Sequence, residues 1–150
     1  MVSDNDSVDD DEILYRRLPP GFDLYHFTDD GTIKIHSQAF ASRDCRISVD
    51  RAKLCGNDPR YTLDKRGGGV VSLVARDIRN IADLARRDSN GNIIQQFKID
   101  VEPVPLPENF AHAEIYAIPG FENNKDKIFR KLREYLVQLA EKRWEIRPDI

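Results

Sequence analysis

The stretch KDKIFRKLREYLVQLAEK, residues 125–142, decides the fold class. Ile128, Phe129, Leu132, Tyr135, Leu136, Leu139 and Ala140 recur at three- and four-residue spacing, which places them on one stripe of a helix. Lys127, Arg130, Lys131, Arg133, Glu134, Gln138, Glu141 and Lys142 fall on the opposite side, and Asn123 or Asn124 is available as the cap. A helix that is apolar on one side only must lay that side against another layer.

The preceding sequence supplies that layer as short segments of strand period. Residues 111–118 set Ala111, Ala113, Ile115 and Ala117 on one face and His112, Glu114, Tyr116 and Ile118 on the other. Residues 93–104 alternate over Phe97, Ile99 and Val101 and read as one strand. The run 70–75 is β-branched and apolar on both faces, the pattern of a buried interior strand. Residues 13–18 are extended, because Pro19-Pro20 forbids helix there. Residues 22–28 and 32–37 flank Asp29-Asp30-Gly31, a hairpin signal. Trp144 and Ile146 are expected to pack back after the long helix.

Two shorter helices are expected. One runs over 49–55, with Ser48 as its cap and Asp50 in its first turn. The other runs over 77–87, where Ile78, Ile81, Leu84 and Ala85 fall at helical spacing between Asp77 and Arg86-Arg87. Residues 60–63 read as a weak strand. Gly67-Gly68-Gly69 reads as a flexible connector, since phosphate loops follow a strand and this one precedes it. The sum is α+β: a single domain over residues 12–150, its mostly antiparallel sheet packed against one long C-terminal helix, with two short helices beside it. Residues 1–11 hold Asp, Ser and Asn with two isolated valines, too little apolar area to offset ordering entropy, and are expected to form a disordered acidic tail.

The 150 residues are 40% hydrophobic and 33% charged, which excludes a fully disordered or collagen-like chain. The longest apolar runs, around Val70 and Leu73, are far short of the ~20 residues of a spanning helix, so no membrane association is expected. The formal net charge is −3, yet the six acids of residues 1–12 face no Lys or Arg in that segment. The remaining chain is mildly basic, and residues 43–87 carry eleven bases against six acids. That surplus permits weak contact with nucleic acid but falls short of a dedicated binder's footprint. Cys45 and Cys55 form no C-x-x-C pair and make no metal spacing with His36, so neither a metal nor another cofactor is expected. The acidic N-terminus lacks the features of a secretory or transit segment, which predicts a cytoplasmic protein with free, buried thiols.

The candidate site residues come from four places. His112, mid-strand beside Glu114, is a candidate general base awaiting a nucleophile within ~3 Å; its structural reading is a hydrogen-bonded sheet histidine. Asp50 is the second catalytic candidate, gathered with it into one pocket if the protein is an enzyme. Ser37, Arg43 and Ser48 belong to a tract rich in hydroxyl and guanidinium groups around Phe40, the mixture a small-ligand pocket uses; as structure, they are turn, surface and cap residues. Arg16 and Arg17 are candidate binders of phosphate or carboxylate, although on a strand they point to opposite faces; as structure, they guard an edge strand. In loose outline Arg16-Arg17, Ser37-x-Ala39-Phe40, Ser48-Val49-Asp50 and His112-Ala113-x-Ile115 resemble small bacterial proteins, which implies a prokaryotic cytoplasm and carries over no chemistry.

Three functions are compatible with these features. The first is a binding or adaptor module with a protein partner inside a larger assembly. The second is a small enzyme or nucleotide-binding domain whose Arg, Ser and His groups hold phosphate. The third is weak nucleic-acid binding through residues 43–87.

Overall fold

Strands outnumber helices in the computed structural model, which describes residues 7–20, 24–64 and 67–148. The strands among these residues are β1 (Ile13–Leu18), β2 (Tyr25–Phe27), β3 (Ile33–Ile35), β4 (Ile47–Arg51), β5 (Gly69–Val74), β6 (Ala85–Arg87), β7 (Ile93–Gln96), β8 (Lys98–Pro103), β9 (His112–Ile118) and β10 (Trp144–Ile146). The helices are α1 (Arg60–Leu63), α2 (Ala75–Arg79) and α3 (Lys127–Ala140), with 3-10 turns at Ser37–Phe40 and Ala52–Cys55. Six strands form one sheet in the order β10-β5-β1-β4-β9-β8, with every neighbouring pair antiparallel. β2–β3 and β6–β7 are separate two-stranded hairpins. The fold is α+β, with one long C-terminal helix on a mostly antiparallel sheet.

Alternation sorts the side chains between the two faces of the six-stranded sheet. Leu14 and Leu18 of β1, Ile47 and Val49 of β4, Val71 and Leu73 of β5, Ile99 and Val101 of β8, and Ala113 and Ile115 of β9 share one buried cluster. α3 closes that face with Phe129, Leu132, Leu136 and Ala140. The opposite face carries Tyr15, Ser48, Asp50, His112, Glu114 and Tyr116 by register. A small cluster of Tyr15, Ala52 and Val70, with Leu63 and Ile146 against it, covers only part of it. No helix among the described residues is long and apolar enough to cross a membrane.

Several local expectations are corrected. The helix expected over 49–55 does not form: Ile47, Val49 and Arg51 alternate into the interior as β4, and only Ala52–Cys55 coils, as a 3-10 turn. β-branched residues at period two outweigh the capping potential of Ser48. Residues 60–63 are helical because Asp58 Oδ1 accepts the Arg60 N–H at 3.0 Å and Pro59 presets the first turn. The helix expected over 77–87 stops at Arg79, since Asp83 is left-handed (φ 62°) and Asn90-Gly91 turns Ala85–Arg87 back on Ile93–Gln96 as a hairpin. Residues 93–104 are two strands, not one, broken at buried Phe97, whose N–H goes to Leu84 O at 2.8 Å. α3 is capped by Asp126, whose Oδ1 accepts the Ile128 N–H at 2.8 Å, not by either asparagine.

Two further differences concern single residues and the N-terminal segment. Arg133 lies in the buried set of α3 instead of on its solvent side, its guanidinium over the Phe129 ring. The glycine run is a close-packed junction where described: a Cβ on Gly68 would sit 2.2 Å from Leu18 O, at a φ of +98° that side chains rarely adopt. Residues 1–6 of the expected tail, together with 21–23 of the first hairpin arm and 65–66, lie outside the described residues. The rest of the tail is ordered by specific contacts: Val8 is 3% exposed in the main core, and Arg76 N donates to Asp10 O at 2.8 Å.

Candidate functional site

β1 is hydrogen-bonded to β5 along its whole length but to β4 only at Leu14↔Arg51 and Tyr15↔Asp50. Beyond Tyr15 the β1–β4 ladder ends, and the Arg16 guanidinium binds the separated elements together. Its Nη1 donates to Ser48 O at 2.7 Å, its Nε to Ala39 O at 2.8 Å, and its Nη2 to Ala41 O at 3.5 Å. Above this divergence, on the sheet face that α3 leaves open, is a cleft of about 310 Å³. Tyr15, Arg16 and Arg17 of β1, Pro19, Ser48, Val49 and Asp50 of β4, Thr62 of α1, Asn109 and His112 line it.

Five of the seven candidate residues therefore meet in one place: Arg16, Arg17, Ser48, Asp50 and His112. Ser37 and Arg43 do not. Ser37 begins the 3-10 turn on the α3 side, its carbonyl 3.5 Å from Arg133 Nη1, and Arg43 is exposed on a loop outside the lining. The edge-strand reading of Arg16-Arg17 also fails, because β1 is an interior strand between β5 and β4. Tyr15, Thr62 and Asn109 complete the site, and their local sequence carried no signal for it. Asn109 follows the proline-rich run 103–107 and reaches the cleft only because β8 and β9 pair on either side of that loop.

The side chains of Asp50, Asn109 and His112 each have defined partners in the cleft. Asp50 Oδ2 accepts from Thr62 Oγ1 at 2.8 Å and Oδ1 from Asn109 Nδ2 at 2.9 Å. Asn109 Oδ1 in turn accepts from Tyr61 Oη at 2.6 Å. Asp50 thus ties α1 and the 104–111 loop to the sheet, a positioning role rather than that of an open acid. His112 Nδ1 lies 2.9 Å from Val104 O, so Nδ1 carries the proton and donates it. That leaves Nε2 as the acceptor, 3.1 Å from Ser48 Oγ. Glu114 Oε2 lies 3.8 Å from the same nitrogen, and the Glu114 carboxylate is itself held by Arg46. The group within reach of the mid-strand histidine is thus the serine two residues from Asp50 on β4, and its orienting partner is a backbone carbonyl.

Arg17 shares the Tyr15 face of β1 and lines the cleft beside the carboxylate of Asp50, whereas the Arg16 guanidinium turns to the other face, 5.5 Å from the centroid of the buried Phe40 ring. Among the described residues no carboxylate pairs with Arg16, whose bonds all go to backbone carbonyls. Burial pushes its guanidinium down to about 10, still cationic at neutral pH. Arg17 Nε donates to Gly67 O at 2.9 Å.

Outside the cleft the basic excess of residues 43–87 is largely neutralised within the chain. Arg46 meets Glu102 and Glu114, Arg51 meets Glu12, and Lys53 meets Asp9 and Glu12. Arg60 meets Asp58, Arg79 meets Asp10 and Asp100, and Arg86 meets Asp126. Asp9, Asp10 and Glu12 of the acidic segment are thus partners of this same region. Family models, curated proteins and solved structures, each compared with this chain, return no match.

Proposed function

We propose that this protein is a binding module that recognises an anionic group, phosphate or carboxylate, in the cleft between β1 and β4. The observation that carries the reading is the Arg17 guanidinium in a cleft whose Asp50 carboxylate is already bonded through both oxygens to Thr62 and Asn109. An anion entering there gains charge-assisted hydrogen bonds from a guanidinium, whose planar fork fits phosphate and carboxylate alike. Ser48 and Tyr15 add a hydroxyl and an aromatic wall, the mixture that orients a small ligand. The proposed setting is a larger assembly in which a partner protein presents or receives that group: Phe110, beside Asn109 of the cleft, is 74% exposed, and neighbouring Tyr61 is 44% exposed. Nucleic-acid binding through residues 43–87 has the weaker support, because most of those bases already pair with carboxylates of this chain.

Thermal unfolding in graded inorganic phosphate or pyrophosphate tests the reading, with sodium chloride matched for ionic strength. A ligand that binds only the folded state raises its stability saturably, by about 2.7 kcal/mol at a hundredfold excess over Kd. The expected result is saturable stabilisation by one of these anions that is lost in Arg17→Ala. Equal shifts in chloride, or an unchanged response in Arg17→Ala, overturn it.

A further inference from the structure

Ser48 and His112 make a pairing that anion binding does not require. Ser48 is exposed at the mouth of the cleft, while the His112 side chain is 12% exposed. The imidazole is held from behind by Val104 O at 2.9 Å, which places the proton on Nδ1 and turns the bare Nε2 toward Ser48 Oγ at 3.1 Å. A serine hydroxyl within hydrogen-bond reach of a histidine base, with that base oriented by a third group, is the arrangement of an activated nucleophile. Here a carbonyl does the orienting, and Glu114 Oε2, 3.8 Å from Nε2, stabilises the imidazolium when it forms. The β4–β9 register enforces the geometry: Asp50 pairs with His112 and Ser48 with Glu114, so His112 and Ser48 are diagonal neighbours on one face.

We infer that Ser48 is a nucleophile and His112 its general base, and that the cleft transfers an acyl group from an ester to water. In the first half-reaction Ser48 Oγ bonds to the ester carbonyl carbon while its proton passes to His112 Nε2. The bond from that carbon to the leaving oxygen then breaks, and Nε2 returns the proton to the departing alcohol. In the second, Nε2 takes a proton from water as its oxygen attacks the acyl carbon. The bond to Ser48 Oγ breaks, Oγ recovers the proton, and a carboxylic acid leaves. Arg17 supplies positive charge to the cleft in which the carbonyl oxygen becomes negative. The inference shares the cleft with the anion reading but does not depend on phosphate as ligand.

The full chain treated with a fluorophosphonate probe, followed by peptide mapping, tests it, with p-nitrophenyl acetate hydrolysis as a second readout. The expected result is one adduct, on Ser48, that is absent in Ser48→Ala. His112→Gln, which keeps a polar side chain of similar size, is expected to slow labelling by about 10²–10⁴-fold, and added imidazole to restore part of the rate in His112→Ala but none in Ser48→Ala. Unfolding curves establish that the variants are folded. No adduct on the folded wild type, labelling scattered over other hydroxyls, or wild-type rates in folded His112→Gln overturns the inference. Ser48 labelling without phosphate stabilisation overturns the anion reading alone, and the converse overturns the nucleophile alone.

Discussion

Arg51 is the largest fully buried side chain among the described residues, and Glu12 accepts from it through both carboxylate oxygens, at 2.8 and 2.7 Å. Glu12 comes from the segment that composition alone would leave in solvent, so one charge inside the body decides where that segment goes. Burial raises the Glu12 pKa, but the hydrogen bonds from Arg51 and the Asp9 N–H, with the charges of Arg51 and Lys53, outweigh it and hold the carboxyl below its ordinary value. A carboxyl whose folded pKa is depressed stabilises the fold fully above its unfolded pKa, about 4.3, and loses that contribution as pH falls through the folded value. Glu12→Gln removes this buried carboxylate from Arg51 and is expected to destabilise by about 3–5 kcal/mol at neutral pH. Urea unfolding at pH 7 and at pH 3.5 measures this; the gap between wild type and variant should narrow at the lower pH. An equal gap at both would mean that the pair contributes nothing electrostatic.

Elements long enough to repeat their period were legible, and shorter ones were not. α3 and the segment 111–118 carry four or more apolar residues in phase, and both elements form close to where the sequence predicts. The stretch 77–87 offers so few apolar positions that helix and strand patterns coincide, and the Asn90-Gly91 turn decided it. β4 was equally available as alternation of Ile47, Val49 and Arg51, but an arginine in an inward position reads as an error until its partner is known. Because Leu132 of α3 sits in the main core with no exposed surface, Leu132→Ala is expected to destabilise by about 2–5 kcal/mol. Denaturant unfolding checks this, and a loss under 1 kcal/mol would show that the sheet does not depend on the helix.

At the scale of the whole molecule, the described part closes over both of its thiols. Cys45 and Cys55 are free and buried, and burial, then the charges of Asp50 and Asp58, pushes the Cys55 thiol up to about 12. With thiolate scarce and access closed, the native protein is expected to react negligibly with Ellman's reagent at pH 8, and both thiols in 6 M guanidinium. Rapid reaction of the folded chain would show an opening of the core that the structure does not contain. The amino-acid sequence by itself determined the layer arrangement, since the periods of 3.6 and 2 each demand one covered face, and it singled out Arg16, Arg17, Ser48, Asp50 and His112 as chemically capable groups. It could not separate them from Ser37 and Arg43, which have the same chemistry. Tertiary structure made that division: strand order and the early end of the β1–β4 ladder are set by pairings between residues far apart in the chain, and those pairings carry five of these groups into one cleft and leave two outside it. The same long-range pairing turned an acidic tail and a basic middle, separate features along the chain, into ion pairs such as Glu12–Arg51 and Asp10–Arg79.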